Sequence, residues 1–166
     1  DWDHGRTAKI NFFFQYRPKD TVQEIYDETF RYILEAETDI LFFNFGVHWT
    51  PGKQRVLRLR VGKVLETIQH YGKNISLLAF RETAAQHFNT TGGEWSKEAS
   101  LTCAPLSPYD DLVGWRSRMF RNMSRGMGYK LVVADPSKKE ITDTPASDQQ
   151  EIVIAPFLNF TRGLYD

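Results

Sequence analysis

The chain has 166 residues, enough for one domain with a real core. Lysine plus arginine and aspartate plus glutamate balance at 21 each, so no net field draws the chain to nucleic acid or an acidic membrane. Aromatic residues make up 14% of it, twelve of them phenylalanine, which suits a dense core or a sugar-stacking cleft. No apolar run reaches the roughly 20 residues that a membrane helix needs.

Taken in order, Lys9–Tyr16 (KINFFFQY) reads as a buried strand stopped at Arg17-Pro18. A helix follows to about Glu35, capped by Asp20 or Thr21. Glu24 stands three residues after Thr21, as a capping box requires, and Val22, Ile25, Tyr26, Phe30, Ile33 and Leu34 keep the helical spacing. Asp39–Phe45 is nearly all apolar, as strands buried on both faces are. After Pro51-Gly52, Lys53–Tyr71 predicts a second amphipathic helix, with Gly72 at its C-terminal cap. Ile75–Phe80 is a third strand, and the stretch from Arg81 to about Asp111 is too long to be a mere connector. Leu112–Met127 predicts a third helix, with Leu112, Trp115, Met119, Phe120, Met123 and Met127 on one face and Gly128 ending it. Tyr129–Ala134 is a fourth strand, Lys138–Gln150 a polar surface loop, and Glu151–Pro156 either a short strand or the start of a helix. Alternating strands and helices with right-handed crossovers imply one α/β domain over residues 1–166: a three-layer, mostly parallel sheet flanked by helices.

The chain begins at Asp1 with no signal-peptide pattern, so it reads as cytosolic or as a lumenal piece of a longer protein. Four of its six asparagines, Asn74, Asn89, Asn122 and Asn159, start an Asn-x-Ser/Thr sequon, where chance gives about one. That favours the secretory pathway, a Golgi lumen or the exterior. The single cysteine, Cys103, fits either a partner elsewhere or a small buried hydrophobe.

Two stretches carry most of the chemistry, and both follow predicted strands, where α/β folds place their sites. In Asn44-Phe45-Gly46-Val47-His48-Trp49, an asparagine amide and a glycine N–H at a strand end can donate to a developing oxyanion; the same residues also make an ordinary turn with a packed tryptophan. In Phe80–Trp95, Arg81 can clamp a carboxylate or brace its loop, and Gly92-Gly93 permits close backbone approach. Trp95 serves as a stacking platform or as core. His70, at a helix end, reads as a surface or capping residue. Four histidines and one cysteine offer no HExxH and no cysteine pair, although His48 and His87 can approach in space, so no metal is expected. Gly126-Met127-Gly128 lacks a third glycine and joins a helix to a strand, the reverse of a dinucleotide turn, and no nucleotide or other cofactor is expected.

Together these stretches resemble the PC-esterase family, which includes the trichome-birefringence-like polysaccharide O-acetyltransferases of plants and related algal and fungal sequences. Asn44, Gly46, His48 and Trp49 match one family element. Phe80, Arg81, His87, Phe88, Gly92 and Gly93 match another in the same order. Cys103 lies farther from the glycine pair than is usual, and Trp95 follows the pair where the family often has its tryptophan before it. The resemblance implies an SGNH-like (flavodoxin-like) fold and acyl transfer by a Ser-His-Asp triad. It also implies a glycan or polysaccharide acceptor, an acyl donor, and membrane attachment only through an anchor outside this chain. Asn44 would be an oxyanion donor; Gly46, His48 and Trp49 would shape the site wall; Arg81 and His87 would organise the loop or contact the acceptor. The family's Gly-Asp-Ser turn is absent. Asp1-Trp2-Asp3-His4 has the Asp-x-x-His spacing but precedes every other motif, and reads as coincidence. The expectation is therefore a fragment incomplete at both ends, poorly soluble alone, with a degenerate pseudoenzyme as the alternative. An acetyl-ester hydrolase of the same fold, a non-catalytic glycan-binding or scaffold module stacking sugars on Trp49, Trp95 and Tyr109, and a cytosolic Rossmann-like protein compete with it.

Overall fold

The computed structural model describes residues 19–45, 49–83, 114–134 and 149–155. Among them four parallel strands form one sheet: β1 (Ile40–Phe43), β2 (Leu77–Arg81), β3 (Lys130–Val133) and β4 (Glu151–Ala155), in the order β1-β2-β4-β3. The chain is thus α/β with an all-parallel sheet and flanking helices. The segment from Glu151, read as strand or helix, is a strand, and it inserts between β2 and β3. The first expected strand, Lys9–Tyr16, lies outside the described residues.

Helix α1 consists of α-helical Val22–Ile25, a π-helical turn Tyr26–Phe30 and α-helical Arg31–Glu35. Thr21 caps it with the full reciprocal box: its hydroxyl accepts from the Glu24 N–H, and the Glu24 carboxylate accepts from the Thr21 N–H. Helix α2 (Gln54–Tyr71) follows a 3₁₀ turn at Pro51–Lys53. Its buried residues Leu57, Val61, Leu65 and Ile68 recur every three or four positions, each stabilising by about 1.5–3 kcal/mol through burial. Gly72 caps α2 as expected, but with φ −88° rather than left-handed geometry. Space explains it: a Cβ there would stand 3.2 Å from Ile68 Cγ2 and 3.4 Å from Phe30 Cζ. Helix α3 (Trp115–Gly126) is shorter than its apolar spacing suggested, and Gly128 beyond it takes φ +86°.

Strand order and direction place α2 and α3 on one face. Both crossovers, β1 to β2 and β2 to β3, run the same way across the sheet, so right-handed connections put both helices on the same side. Register then sorts the side chains. Leu41, Leu78, Ile152 and Leu131 align in one row, and Phe43, Phe80 and Ile154 in the next; these enter the core shared with α2 and α3. The alternate residues look the other way, and there Ile40 and Phe42 are each 59% exposed.

At the amino-terminal edge of the sheet the Lys130 ammonium pairs with the Glu151 carboxylate across β3 and β4, and three glutamine amides cap backbone carbonyls. Gln69 donates to the Met127 carbonyl at 2.7 Å, Gln150 to the Gly72 carbonyl at 3.2 Å, and Gln149 to the Gly128 carbonyl at 2.5 Å. The charged groups at the carboxyl edge are more deeply buried.

Candidate functional site at the carboxyl edge of the sheet

Four phenylalanine rings set the position of the strand ends. Phe80 stacks on Phe120 of α3 with centroids 3.6 Å apart. Phe43 meets both at 5.6 and 5.8 Å, and Phe45 meets both at 5.9 Å. Phe43 and Phe45 thus both turn into the core, which leaves Asn44 between them on the opposite side of the backbone, partly exposed. The same alternation turns Arg81, after the buried Phe80, away from the core and out to solvent. Because Phe43 pairs with Phe80 in the parallel register, the next residues along, Asn44 and Arg81, stand level on neighbouring strands and on the same face. That face is the one opposite α2 and α3.

On the helix side a polar frame holds the two strand ends. Glu82 is only 2% exposed. A carboxylate so buried requires a partner, and Arg121 of α3 supplies two donors to one oxygen, Nε at 2.9 Å and Nη2 at 2.5 Å. The Thr83 hydroxyl donates to the Phe45 carbonyl at 2.7 Å, tying the loop after β2 to the loop after β1. Arg116, 5% exposed, donates to the Trp49 carbonyl and lies 4.8 Å from the Trp115 ring. Arg60 of α2 lies 5.6 Å from the Trp49 ring and pairs with Asp20 at 2.8 Å, beside the α1 cap.

Of the residues expected to form the site, Asn44, Trp49 and Arg81 are described; Gly46, His48, His87, Gly92, Gly93 and Trp95 lie outside the described residues. Trp49 is 8% exposed and packed in the core, so it is not a platform on which a sugar could stack. Tyr109 and Cys103 are likewise outside the described set. Two sequon asparagines are described, and both are exposed: Asn74 in the 3₁₀ turn after α2, and Asn122 midway along α3. The serine of the second sequon, Ser124, is fully buried. Asn89 and Asn159 lie outside the described residues.

Sequence reasoning passed over Glu82, Thr83, Arg116 and Arg121. A signal for Glu82 was present: in Leu78-Ala79-Phe80-Arg81-Glu82, period-two alternation puts the glutamate on the core side. A core-side carboxylate at a strand end calls for a cation on the packing helix, and α3 carries four arginines, at 116, 118, 121 and 125.

Chemically, the exposed face offers an amide and a guanidinium on adjacent strand ends, both donors, above a rigid aromatic floor. Such a pair can stabilise negative charge developing on a carbonyl or phosphoryl oxygen. Among the described residues no three histidine, cysteine, aspartate or glutamate side chains cluster as metal ligands, and no helix is long and apolar enough to cross a membrane. No protein-family model, no curated protein and no solved structure matches the chain.

Proposed function

We propose that this chain is part of a lumenal or secreted acyl-ester enzyme of the PC-esterase type and SGNH-like fold, transferring acetyl groups to glycan hydroxyls. The observation that supports it is the placement of Asn44 and Arg81, level and on one face at the ends of parallel neighbours β1 and β2. The two stretches that carry the family resemblance leave the sheet side by side.

In this reading a serine outside residues 1–166 attacks the acyl carbonyl, its proton passing to a histidine also outside them. The carbonyl oxygen becomes an alkoxide, and the Asn44 amide donates to it. Collapse expels the donor's leaving group and leaves an acyl-serine, which the acceptor hydroxyl then attacks by the same steps. Arg81 orients the acceptor or its loop. Glu82, Thr83, Arg116 and Arg121 position the strand ends and touch no reacting atom. The exposure of Asn74 and Asn122 accords with glycosylation in a lumenal compartment.

Reading the coding sequence on either side tests the proposal first: a Gly-Asp-Ser upstream and an Asp-x-x-His downstream support it. Covalent labelling of the full-length protein by a fluorophosphonate serine probe is the chemical test. A folded full-length protein that does not label overturns the enzyme reading.

A further inference from the structure

Two sequons lie among the described residues, and the fold treats them differently. In Asn74-Ile75-Ser76 the chain leaves a 3₁₀ turn (Gly72–Asn74) and extends at Ile75, with φ −79° and ψ 114°. Extended backbone sends successive side chains to opposite sides. Ile75 accordingly packs in the core, while Asn74 and Ser76 both stand exposed. The acceptor amide and the hydroxyl two residues on thus share one outward side, in the kind of surface turn where an Asn-x-Ser acceptor is used. Asn122 and Ser124 sit within α3, where residues two apart do not face each other, and Ser124 is fully buried.

The turn before Asn74 carries a ring. Tyr71 ends α2, three residues before Asn74. Residues three apart on a helical turn are neighbours, with Cβ atoms about 5–6 Å apart. Tyr71 keeps 36% of its surface in water. Behind it lies the ring of Tyr26, 4.2 Å away between centroids, which belongs to the π-helical turn of α1 and packs against the core. The turn between ring and acceptor is pinned as well: the Gly72 carbonyl accepts from the Ile75 N–H at 3.1 Å and from the Gln150 amide at 3.2 Å. A braced ring beside a sugar acceptor offers a flat apolar face, on which the C–H face of a pyranose can pack at little ordering cost. Asn122 has no such neighbour along its helix: the residues three and four away are Arg118, Met119, Arg125 and Gly126.

We propose that Asn74 carries an N-linked glycan whose first sugar packs on the Tyr71 ring and fastens the turn between α2 and β2. In the covalent step the Asn74 amide nitrogen bonds to C1 of a sugar held on a lipid pyrophosphate, which the lumen supplies together with its transferase. The C1–O bond to the carrier breaks, the pyrophosphate leaves with the bonding electrons, and the nitrogen gives one proton to a base of the transferase. The proposal rests on the lumenal or secreted placement given above, and not on acyl transfer.

Glycopeptide mass spectrometry of the native full-length protein reads occupancy, and sugar at Asn74 is expected. No sugar at any sequon overturns the lumenal placement and this site with it; sugar elsewhere but none at Asn74 overturns this site alone. Melting temperature reads the packing. Full-length protein secreted by a eukaryotic host should melt about 2–4 °C above Ser76→Ala, which lacks only the exposed hydroxyl of the acceptor. Trimming the glycan to its first sugar should keep that margin. Tyr71→Phe should keep the margin over its own Ser76→Ala counterpart, Tyr71→Leu should lose it, and Asn122→Gln should melt with the wild type. No margin in the wild type, or an equal one in Tyr71→Leu, overturns the proposal. Proton NMR of the trimmed wild type decides without a ring variant: the first sugar's protons should move upfield in the Tyr71 ring current, and unshifted protons overturn the packing.

Discussion

Glu82 and Arg121 are unequal partners, and their inequality can be measured. Glu82 is almost wholly buried, whereas Arg121 keeps part of its side chain in water. Arg121→Ala strands a buried carboxylate and should cost about 3 kcal/mol, near the low end for a broken buried pair. Glu82→Gln leaves a neutral amide facing a guanidinium that solvent still reaches, and should cost less. Urea denaturation of the two variants checks the order; equal costs would mean that the pair is no more than a surface contact. Tyr129 gives a pH signature. Its hydroxyl donates to the Leu65 carbonyl at 2.8 Å, and burial pushes its phenol above the ordinary value of 10. A raised folded value favours the neutral form, so this contribution to stability is whole below about pH 10 and fades as pH rises beyond it. Tyr129→Phe should cost about 1 kcal/mol at neutral pH through the lost hydrogen bond. It should also lose stability less steeply than the wild type above pH 10, as urea midpoints across that range would show.

At the level of elements, Gly72 shows how far composition and spacing can be read. Its place after the second helix was legible, but its reason was only partly so, because the crowding comes from Phe30, distant in sequence, as well as from nearby Ile68. Gly72→Ala should destabilise by about 1–3 kcal/mol through overpacking. Gly52→Ala, with nothing within 4 Å of the added methyl, should be neutral or slightly stabilising. Melting temperatures of the pair test this, and equal shifts would contradict it. The same division runs through the whole fold. Local signals gave the Thr21 box, the apolar stripe of α2 and the strands at 40–43, 77–81 and 130–133, because each depends on neighbours in sequence. The insertion of β4 between β2 and β3 depends on pairing across more than seventy residues on one side, and no local pattern encodes it. Asn44, Trp49 and Arg81 could be singled out by residue type and position, whereas the frame beneath them could not, since Arg116 and Arg121 declare their roles only once α3 packs on β2.

For the molecule as a whole, the sheet has two unlike faces. One is filled by α2, α3 and the phenylalanine cluster; the other exposes Ile40 and Phe42 on β1. A parallel sheet is ordinarily covered on both faces, and exposed apolar residues on β1, the edge among the described strands, promote association. The 166-residue chain should therefore self-associate with rising concentration, and Phe42→Lys should shift it toward monomer in sedimentation velocity; identical profiles would show that this face is not the contact. Above that face, at the carboxyl edge, stand Asn44 and Arg81, and the central claim is that they belong to one acyl-transfer site. The most direct test is the rate of fluorophosphonate labelling of the full-length protein, compared with Asn44→Ala. The account predicts labelling of a serine outside residues 1–166, slowed about 10²–10³-fold in Asn44→Ala as an oxyanion donor is lost. Labelling at the same rate in both proteins, or none in a folded wild type, would contradict it.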